Sequence, residues 1–311
     1  MQRILEPGQI EAFAQRAIPR LRVPDRTHVF SRRAERLREL AGNDAIGHVI
    51  GDYLRLMATV VDAQQAALGR SEAKLPSAAQ LTHARAHGMP SVHATHWARE
   101  EHWRDVLMQL CGSIAQLPDL PGSVHAVCER LMHLQPKLIE SEADDLLSVG
   151  SAPVDAASAP LLMAALQVYW VDLASRLGAE NVAALEVATV CPMCGTLPVA
   201  SIVRTDSGSE GYRYLHCSLC ATEWHMVRVS CSHCQGTKGI DYRSIDGGPE
   251  AIRAECCGGC RTYRKILYQE HDRGVEPVAD DLASLPLDLL VSAAGYHRAS
   301  GNPLLWHSAN A

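Results

Sequence analysis

Four C-x-x-C pairs recur at a fixed offset in this chain, and nothing else in the sequence restricts its fold as tightly. Cys191 and Cys231 are 40 positions apart, as are Cys194 and Cys234, Cys217 and Cys257, and Cys220 and Cys260. Other residues keep the same offset: Asp206/Asp246, Gly208/Gly248, Glu210/Glu250, Arg213/Arg253 and Thr222/Thr262. One unit, a C-x-x-C turn followed by 22 residues and a second turn, therefore occurs twice.

Two residues between thiolates let a tight turn aim both sulfurs at one ion. Two opposed turns complete a tetrahedral set of four sulfurs with bonds of ~2.3 Å. A duplicated unit most simply carries its own ion in each copy. That assigns Cys191, Cys194, Cys217 and Cys220 to a first site, and Cys231, Cys234, Cys257 and Cys260 to a second. Two other pairings stay open at this level. In one the first and third pairs share an ion; in the other "CSLCATEWHMVRVSCSHC" closes on itself. A four-sulfur set suits zinc or rubredoxin-type iron, and ligand type does not separate them. Gly195, directly after Cys194, supplies a backbone free to bend around the sulfur. Ala221, Gln235 and Arg261 stand at the matching positions, so the other three turns are expected to be less regular.

Three of the eleven cysteines fall outside this scheme. Cys256 adjoins Cys257, but using it would stretch the spacing to C-x-x-x-C and break the repeat, so it is read as a non-ligand. Cys111 and Cys128 lie on helical segments and are read as buried core thiols. His83, His87, His93, His96 and His102 lack a helix-borne carboxylate at metalloprotease spacing, and no metal or catalytic role is assigned to them. His216, His225 and His233 crowd the turns as supporting or surface residues. Trp224 is expected to cover a metal site with its ring.

Ahead of the cysteines, residues 1–188 show helical periodicity broken by turn signals. Ser31 is placed as the cap of a helix reaching Leu40, with Ala34, Leu37, Leu40 and Ala41 on one face. Residues 44–68 repeat Ile46, Val49, Ile50, Tyr53, Leu54, Met57, Val60 and Val61 at the spacing of a buried stripe. Further helices are expected near 98–117, 123–134, 137–148 and 156–188, with prolines between or at the starts of them, Pro153 among these. After Val187 the texture changes to turns and short β-type runs, "PVASIV", "YRYLHC", "EWHMVRV" and "YRKILY", with too few apolar residues for an ordinary core. Such a region needs a metal staple. From Gly274 the pattern is helical again, with Asp280 and Asp281 placed as N-terminal caps. The fold class is thus an α-helical domain (1–188), two tandem rubredoxin-like or zinc-ribbon β units (189–229 and 230–270), and a C-terminal helical segment (271–311).

Composition excludes several function classes. Residues 189–270 carry nine Lys/Arg and eight Asp/Glu. Eight thiolates on two divalent ions bring that region to about −3, which is no footprint for phosphate binding. A zinc-ribbon nucleic-acid module is accordingly the remote alternative. The start, "MQRILEPGQIEAFAQ", has no apolar core of a secretory signal. Ser31-Arg32-Arg33 is followed by charge rather than by an apolar run, which points to a helix with a basic face. No run reaches the ~20 apolar residues of a membrane span. Many cysteines without an export signal indicate the reducing cytoplasm. A saturated four-sulfur site leaves no position for substrate, so the chain is read as no enzyme, with electron transfer as the alternative.

The stretches "CPMCGTLPVAS", "YRYLHCSLCATEWHMVRVSCSHC", "ECCGGCRTYRK" and "PVADDLASLPLDLLVSAAGYHR" closely resemble the FdhE family of formate dehydrogenase accessory proteins. The likeness runs from about Cys191 to Leu305, and "FSRRAERLRELA" extends it weakly toward the N-terminus. It implies a cytoplasmic factor required for active respiratory formate dehydrogenase, acting on the catalytic subunit before export. It also implies rubredoxin-like iron, one mononuclear four-cysteine site per unit, on the eight cysteines named above, with zinc as the alternative. Cys256 departs from the family, which usually has another residue there. For the partner-binding face the sequence offers two candidates: the acidic pair Asp280 and Asp281, and a groove between helices and ribbons.

Overall fold

The computed structural model describes residues 18–118, 120–148, 154–183, 185 and 188–305, with the side chains of 44–48 left aside. The N-terminal stretch read as lacking a secretory signal, Pro153, Val187 and the side chain of Ile46 lie outside the described residues. No helix among the described residues is long and apolar enough to cross a membrane.

Among the described residues, seven α-helices precede the repeat cysteines: α1 (Val29–Ala41), α2 (Asp44–Leu68), α3 (Ala78–Ala86), α4 (His102–Ala115), α5 (Gly122–His133), α6 (Pro136–Leu147) and α7 (Ala159–Leu177). Ala34, Leu37, Leu40 and Ala41 are buried on α1, as their spacing requires. Ser31 is not its cap: His28 holds that position, and Ser31 lies in the first turn with its hydroxyl donating to His28 O. On α2 the stripe from Leu54 to Val61 is buried and Ile50 and Tyr53 pack against the same core, but Val49 is 76% exposed and does not belong to that face. Almost every residue of α7 is buried, Gln167 and the ion-paired Asp172 included, and this helix forms the axis against which α2, α4 and α6 pack. It ends at Leu177 rather than near 188, because Gly178 takes φ +78° and turns the chain out of the helix.

The eight strands among the described residues form one sheet. The first unit contributes β2 (Pro198–Val203), β3 (Arg213–Cys217) and β4 (Glu223–His225). The second contributes β5 (Ile240–Arg243), β6 (Ile252–Cys257) and β7 (Thr262–Tyr268). Each unit is an antiparallel meander with its two C-x-x-C turns before its first strand and after its second. The sequence repeat is therefore a structural repeat. The units join head to tail through parallel pairing of β2 with β7, in the register Ser201↔Ile266, Ile202↔Leu267 and Val203↔Tyr268. A short N-terminal strand, β1 (Leu21–Arg22), covers the free edge of β4, and β8 (His297–Arg298) pairs with the start of β7.

The sheet is not held by staples alone. Val199, Ala200, Ile202, Tyr214, Leu215 and Trp224 belong to one hydrophobic core that continues through the helices. The apolar residues that a free-standing ribbon lacks are thus supplied by the helical body.

Helices α8 (Pro277–Ala283) and α9 (Leu285–Ala293) return the chain over this assembly. Glu276 caps α8, accepting from Val278 N and Ala279 N, with Pro277 in the first turn. Asp280 and Asp281 are not caps. Both are buried: Asp280 takes a forked contact from Arg36 (2.7–3.2 Å), and Asp281 pairs with Arg298 and with Lys265 (3.6 Å). Arg33 donates to Glu276 at 3.0 Å. Arg33 and Arg36 of α1 are therefore turned inward as one half of a buried ionic clamp on α8, while Arg32 and Arg38 stay exposed.

Candidate metal centres

The eight repeat cysteines gather into two groups of four among the described residues. Cys191, Cys194, Cys217 and Cys220 form one, and Cys231, Cys234, Cys257 and Cys260 the other, the sulfurs of each group lying within 4.8 Å of one another. Neither the interleaved pairing nor the closed loop is present. Facing sulfurs are 3.6 Å (Cys191–Cys220) and 3.4 Å (Cys194–Cys217) apart in the first group. In the second they are 3.7 Å (Cys231–Cys260) and 3.8 Å (Cys234–Cys257) apart. A tetrahedral ion with ~2.3 Å metal–sulfur bonds sets its sulfurs ~3.8 Å apart. Both groups fit such an ion, and four thiolates are the right donors for zinc or iron.

The turns are alike where the sequence suggests they differ. Gly195 has φ +78°, and Ala221, Gln235 and Arg261 have φ +56°, +61° and +59°. These three are the only non-glycine residues of positive φ among the described ones. The residue after the second cysteine must turn left-handed so that the chain closes back on the first: Gly195 N reaches Cys191 O at 2.7 Å, Gln235 N reaches Cys231 O at 3.0 Å, and Arg261 N reaches Cys257 O at 2.9 Å. The expectation of less regular turns is therefore corrected, and the strain is borne by side-chain-bearing residues at ~1–2 kcal/mol each. Gln235→Gly should raise the stability of the metal-loaded protein by ~0.5–1 kcal/mol, relief of strain minus the greater freedom of glycine in the unfolded chain. A thermal midpoint that falls instead would count against this account.

Hydroxyls and amides surround the sulfurs. Thr196 Oγ1 lies 3.1 Å from Cys194 Sγ and 3.0 Å from Cys217 Sγ. Thr222 is 3.2 Å from Cys220 Sγ, and Thr262 is 3.0 Å from Cys260 Sγ. Leu219 N and Cys220 N donate to Cys217 Sγ, and His233 N and Cys234 N to Cys231 Sγ. The recurrence of Thr222 and Thr262 at the 40-residue offset was the sequence signal for this role. Burial pushes the Cys191 and Cys220 thiols well up. At Cys217 burial acts the same way, but hydrogen bonds from the other three thiols and Thr196 outweigh it and pull the thiol well down. In the second group burial lifts Cys231 to about 12. Cys260 is brought to about 7, where burial is outweighed by hydrogen bonds from Thr262. Thiolates packed this closely repel one another; a bound cation supplies the charge that lets all four be thiolates.

The two groups differ in what surrounds them. All four cysteines of the first are buried. The loop before α4 lies along its first turn, with Val92 N donating to Met193 O (2.9 Å) and Ala94 N to Cys194 O (2.8 Å). The His93 ring packs so close to Gly195 that an added Cβ would stand 2.9 Å from Nε2. From α7, Gln167 Nε2 donates to Ser218 O at 2.7 Å in the second turn. In the second group Cys234 is exposed and Cys260 half-buried. Nothing in the sequence marks this difference, because the donor sets are the same.

Cys256 lies outside both groups, fully buried on β6 with its thiol toward Ala254 O, and burial pushes it up to about 11. Cys111 and Cys128 are buried core thiols as expected. The histidines enter neither group. His216 Nδ1 donates to Glu223 at 3.0 Å, its Nε2 having no partner among the described residues; His225 packs on Tyr212 and Tyr214; His233 is exposed. The Trp224 indole donates to Ala188 O (2.8 Å), tying down the segment that enters the first turn. Of the two partner-face candidates, the acidic pair is buried and offers no surface. The groove exists, a cavity of about 470 Å³ between α1, the second turn and the start of α8, lined by Arg22, Arg36, Arg204, His216 and Glu223 among others.

Three family models match in succession: "FdhE, N-terminal" over residues 18–186, "FdhE, central domain" over 190–228, and "FdhE, C-terminal domain" over 229–305. The chain is 41% identical over 309 residues to the FdhE homolog of Cronobacter sakazakii, covering 98% of this chain and 97% of that one. It is 41% identical over 303 residues to FdhE of Salmonella paratyphi A, covering 97% and 96%. The crystal structure of the FdhE protein from Pseudomonas aeruginosa superposes with a TM-score of 0.80 at 38% identity, covering 93% of this chain and 100% of that one. Likeness of sequence and fold along nearly the whole length, on a chain built around two four-cysteine clusters, leads to one assignment: the chain belongs to the FdhE family, the formate dehydrogenase accessory proteins.

Proposed function

We propose that this chain is a non-enzymatic, cytoplasmic accessory factor that engages the catalytic subunit of a respiratory formate dehydrogenase before that subunit is exported. The eight repeat cysteines hold one metal ion per unit, iron by family likeness and zinc as the alternative. The observation that carries the reading is the pair of closed four-cysteine clusters within a sheet that shares its core with a helical body. Four thiolates saturate a tetrahedral ion, so such a centre offers no open position for a substrate. What it supplies when bound is a fixed shape and, with iron, a one-electron couple. The chain's own residues do the rest: threonine hydroxyls and turn amides share the thiolate charge, and the left-handed turn residues hold the sulfurs in place. The domain division 1–188, 189–229, 230–270 and 271–311 is retained as a description of what each segment contributes.

An electron-transfer role is the second reading, favoured by the exposure of Cys234 at the second group. The test is metal content and visible spectrum on protein purified without oxygen, followed by complementation of a strain lacking the factor. About two irons per chain with a thiolate-to-iron colour that bleaches on reduction, and loss of formate dehydrogenase activity on zinc substitution, would favour the redox reading. A zinc-substituted protein that still binds the catalytic subunit and restores activity would assign the ions to shape alone. A chain that neither binds that subunit nor restores activity in any metal form would refute the proposal.

A further inference from the structure

The geometry points to a division of labour between the two centres, in which the second is an exchangeable metal site and the first a permanent one, with Cys234 as the ligand through which the ion enters and leaves. The inference rests on the metal reading of the two clusters given above.

The repeat makes the comparison clean. Each cluster is four cysteines from two C-x-x-C turns, with facing sulfurs 3.4–3.8 Å apart and a left-handed residue after every second cysteine. Ligand type and turn geometry therefore give no reason for the two ions to differ in behaviour. Access does. An ion saturated by four thiolates exchanges by substitution: an incoming donor must reach the ion, and one sulfur must leave.

At the first cluster no cysteine is more than 1% exposed. Both of its turns are overlain by the helical body through the Val92 and Ala94 amides, the His93 ring and the Gln167 carboxamide. An incoming donor reaches that ion only after these contacts open, which is a local unfolding event.

At the second cluster the outer turn stands in solvent. His233, Cys234 and Gln235 are all exposed, as are Gly258 and Gly259 at the tip of the opposite turn. The base of the outer turn is anchored, with Arg264 donating to Ser232 Oγ (2.8 Å) and Arg213 to Ser230 O (3.0 Å). Cys231 and Cys257 are buried at 4% and 2% exposure. The cluster thus has two fixed inner sulfurs and one outer sulfur open to approach. A chelating donor from solvent bonds to the ion, the Cys234 Sγ–metal bond breaks, and the released thiolate takes a proton from water. No electron changes hands in this step.

The test uses the full-length protein loaded with Co²⁺ without oxygen, its cobalt content measured first, and then challenged with excess EDTA while the thiolate-to-cobalt absorption is followed. The expected result is two phases of one equivalent each, separated in rate at least tenfold. Iodoacetamide added after the fast phase should then label Cys231, Cys234, Cys257 and Cys260 and spare the other four. Loss of both ions in a single phase would overturn the inference, as would label on Cys191, Cys194, Cys217 and Cys220 after the fast phase. Protein that takes up no cobalt would overturn the metal reading itself, and this division with it.

Discussion

A Cys217→Ser protein is expected to hold one metal ion per chain instead of two, and to loosen its helical body together with the first unit. Cys217 is the sulfur on which the first cluster converges, receiving Leu219 N and Cys220 N and standing 3.0 Å from the Thr196 hydroxyl. An apparent ~10–16 kcal/mol of binding free energy attends a structural zinc site, as large as the whole net stability of ~5–15 kcal/mol of an ordinary domain. Sequence reasoning alone confines the damage to the ribbon and leaves the N-terminal helices intact. The structure extends it. The indole of Trp170, on α7, donates to Val92 O, and Val92 in turn donates to the first C-x-x-C turn. Gln167, on the same helix, holds the second turn. Elemental analysis should show the loss of one ion, and amide exchange in Ala159–Leu177 should quicken. Two ions per chain with wild-type exchange in that helix would refute the ligand assignment. Cys256→Ser serves as the control and should retain both ions, since that thiol belongs to neither group and donates to Ala254 O.

Glu255→Ala should cost ~3–5 kcal/mol, because it strands a guanidinium at the joint between the units. The Arg213 side chain is fully buried and donates to Glu255 at 2.7 Å, to Ser201 on β2 and to Ser230 O ahead of the third C-x-x-C turn. It thereby links the first unit to the second across the β2–β7 seam. Removing the carboxylate leaves a charge with neutral acceptors only, and also frees the Tyr242 hydroxyl, which donates to the other carboxylate oxygen at 3.1 Å. Replacing both partners with apolar residues of similar size, as in Arg213→Met with Glu255→Leu, should recover most of the loss, since a buried pair costs nearly as much to desolvate as it returns. Urea unfolding of the metal-loaded proteins measures both. A single-mutant loss under ~1 kcal/mol, or a double mutant as unstable as the single, would show that the pair does not bear on the joint.

These two outcomes mark where the sequence stops being informative. The grouping of eight cysteines into two sets of four was legible because a translational repeat copies local geometry, and the same logic set Cys256 aside. The burial of Leu37, Leu54 and Val61 followed from helical spacing, which needs no knowledge of the partner surface. The ends of elements were less secure: α7 stops well short of residue 188, at Gly178, whose positive φ is a local event that periodicity does not register.

What only the tertiary structure decided are the relations between distant segments. Arg33 and Glu276 lie 243 positions apart, and their contact turns part of a basic helix face into a buried clamp. Asp280 and Asp281 read as surface caps until Arg36, Arg298 and Lys265 are brought to them. The four turns read as unequal from Gly195 alone, yet the need to close each turn onto its first cysteine imposes one left-handed conformation on glycine, alanine, glutamine and arginine alike. The two clusters read as equal because their sequences match. They become unequal because the helical body packs over one copy of the repeat and leaves the other facing water. The repeat in the sequence determined what each centre is made of; the packing around each copy decided how far it is open to the outside.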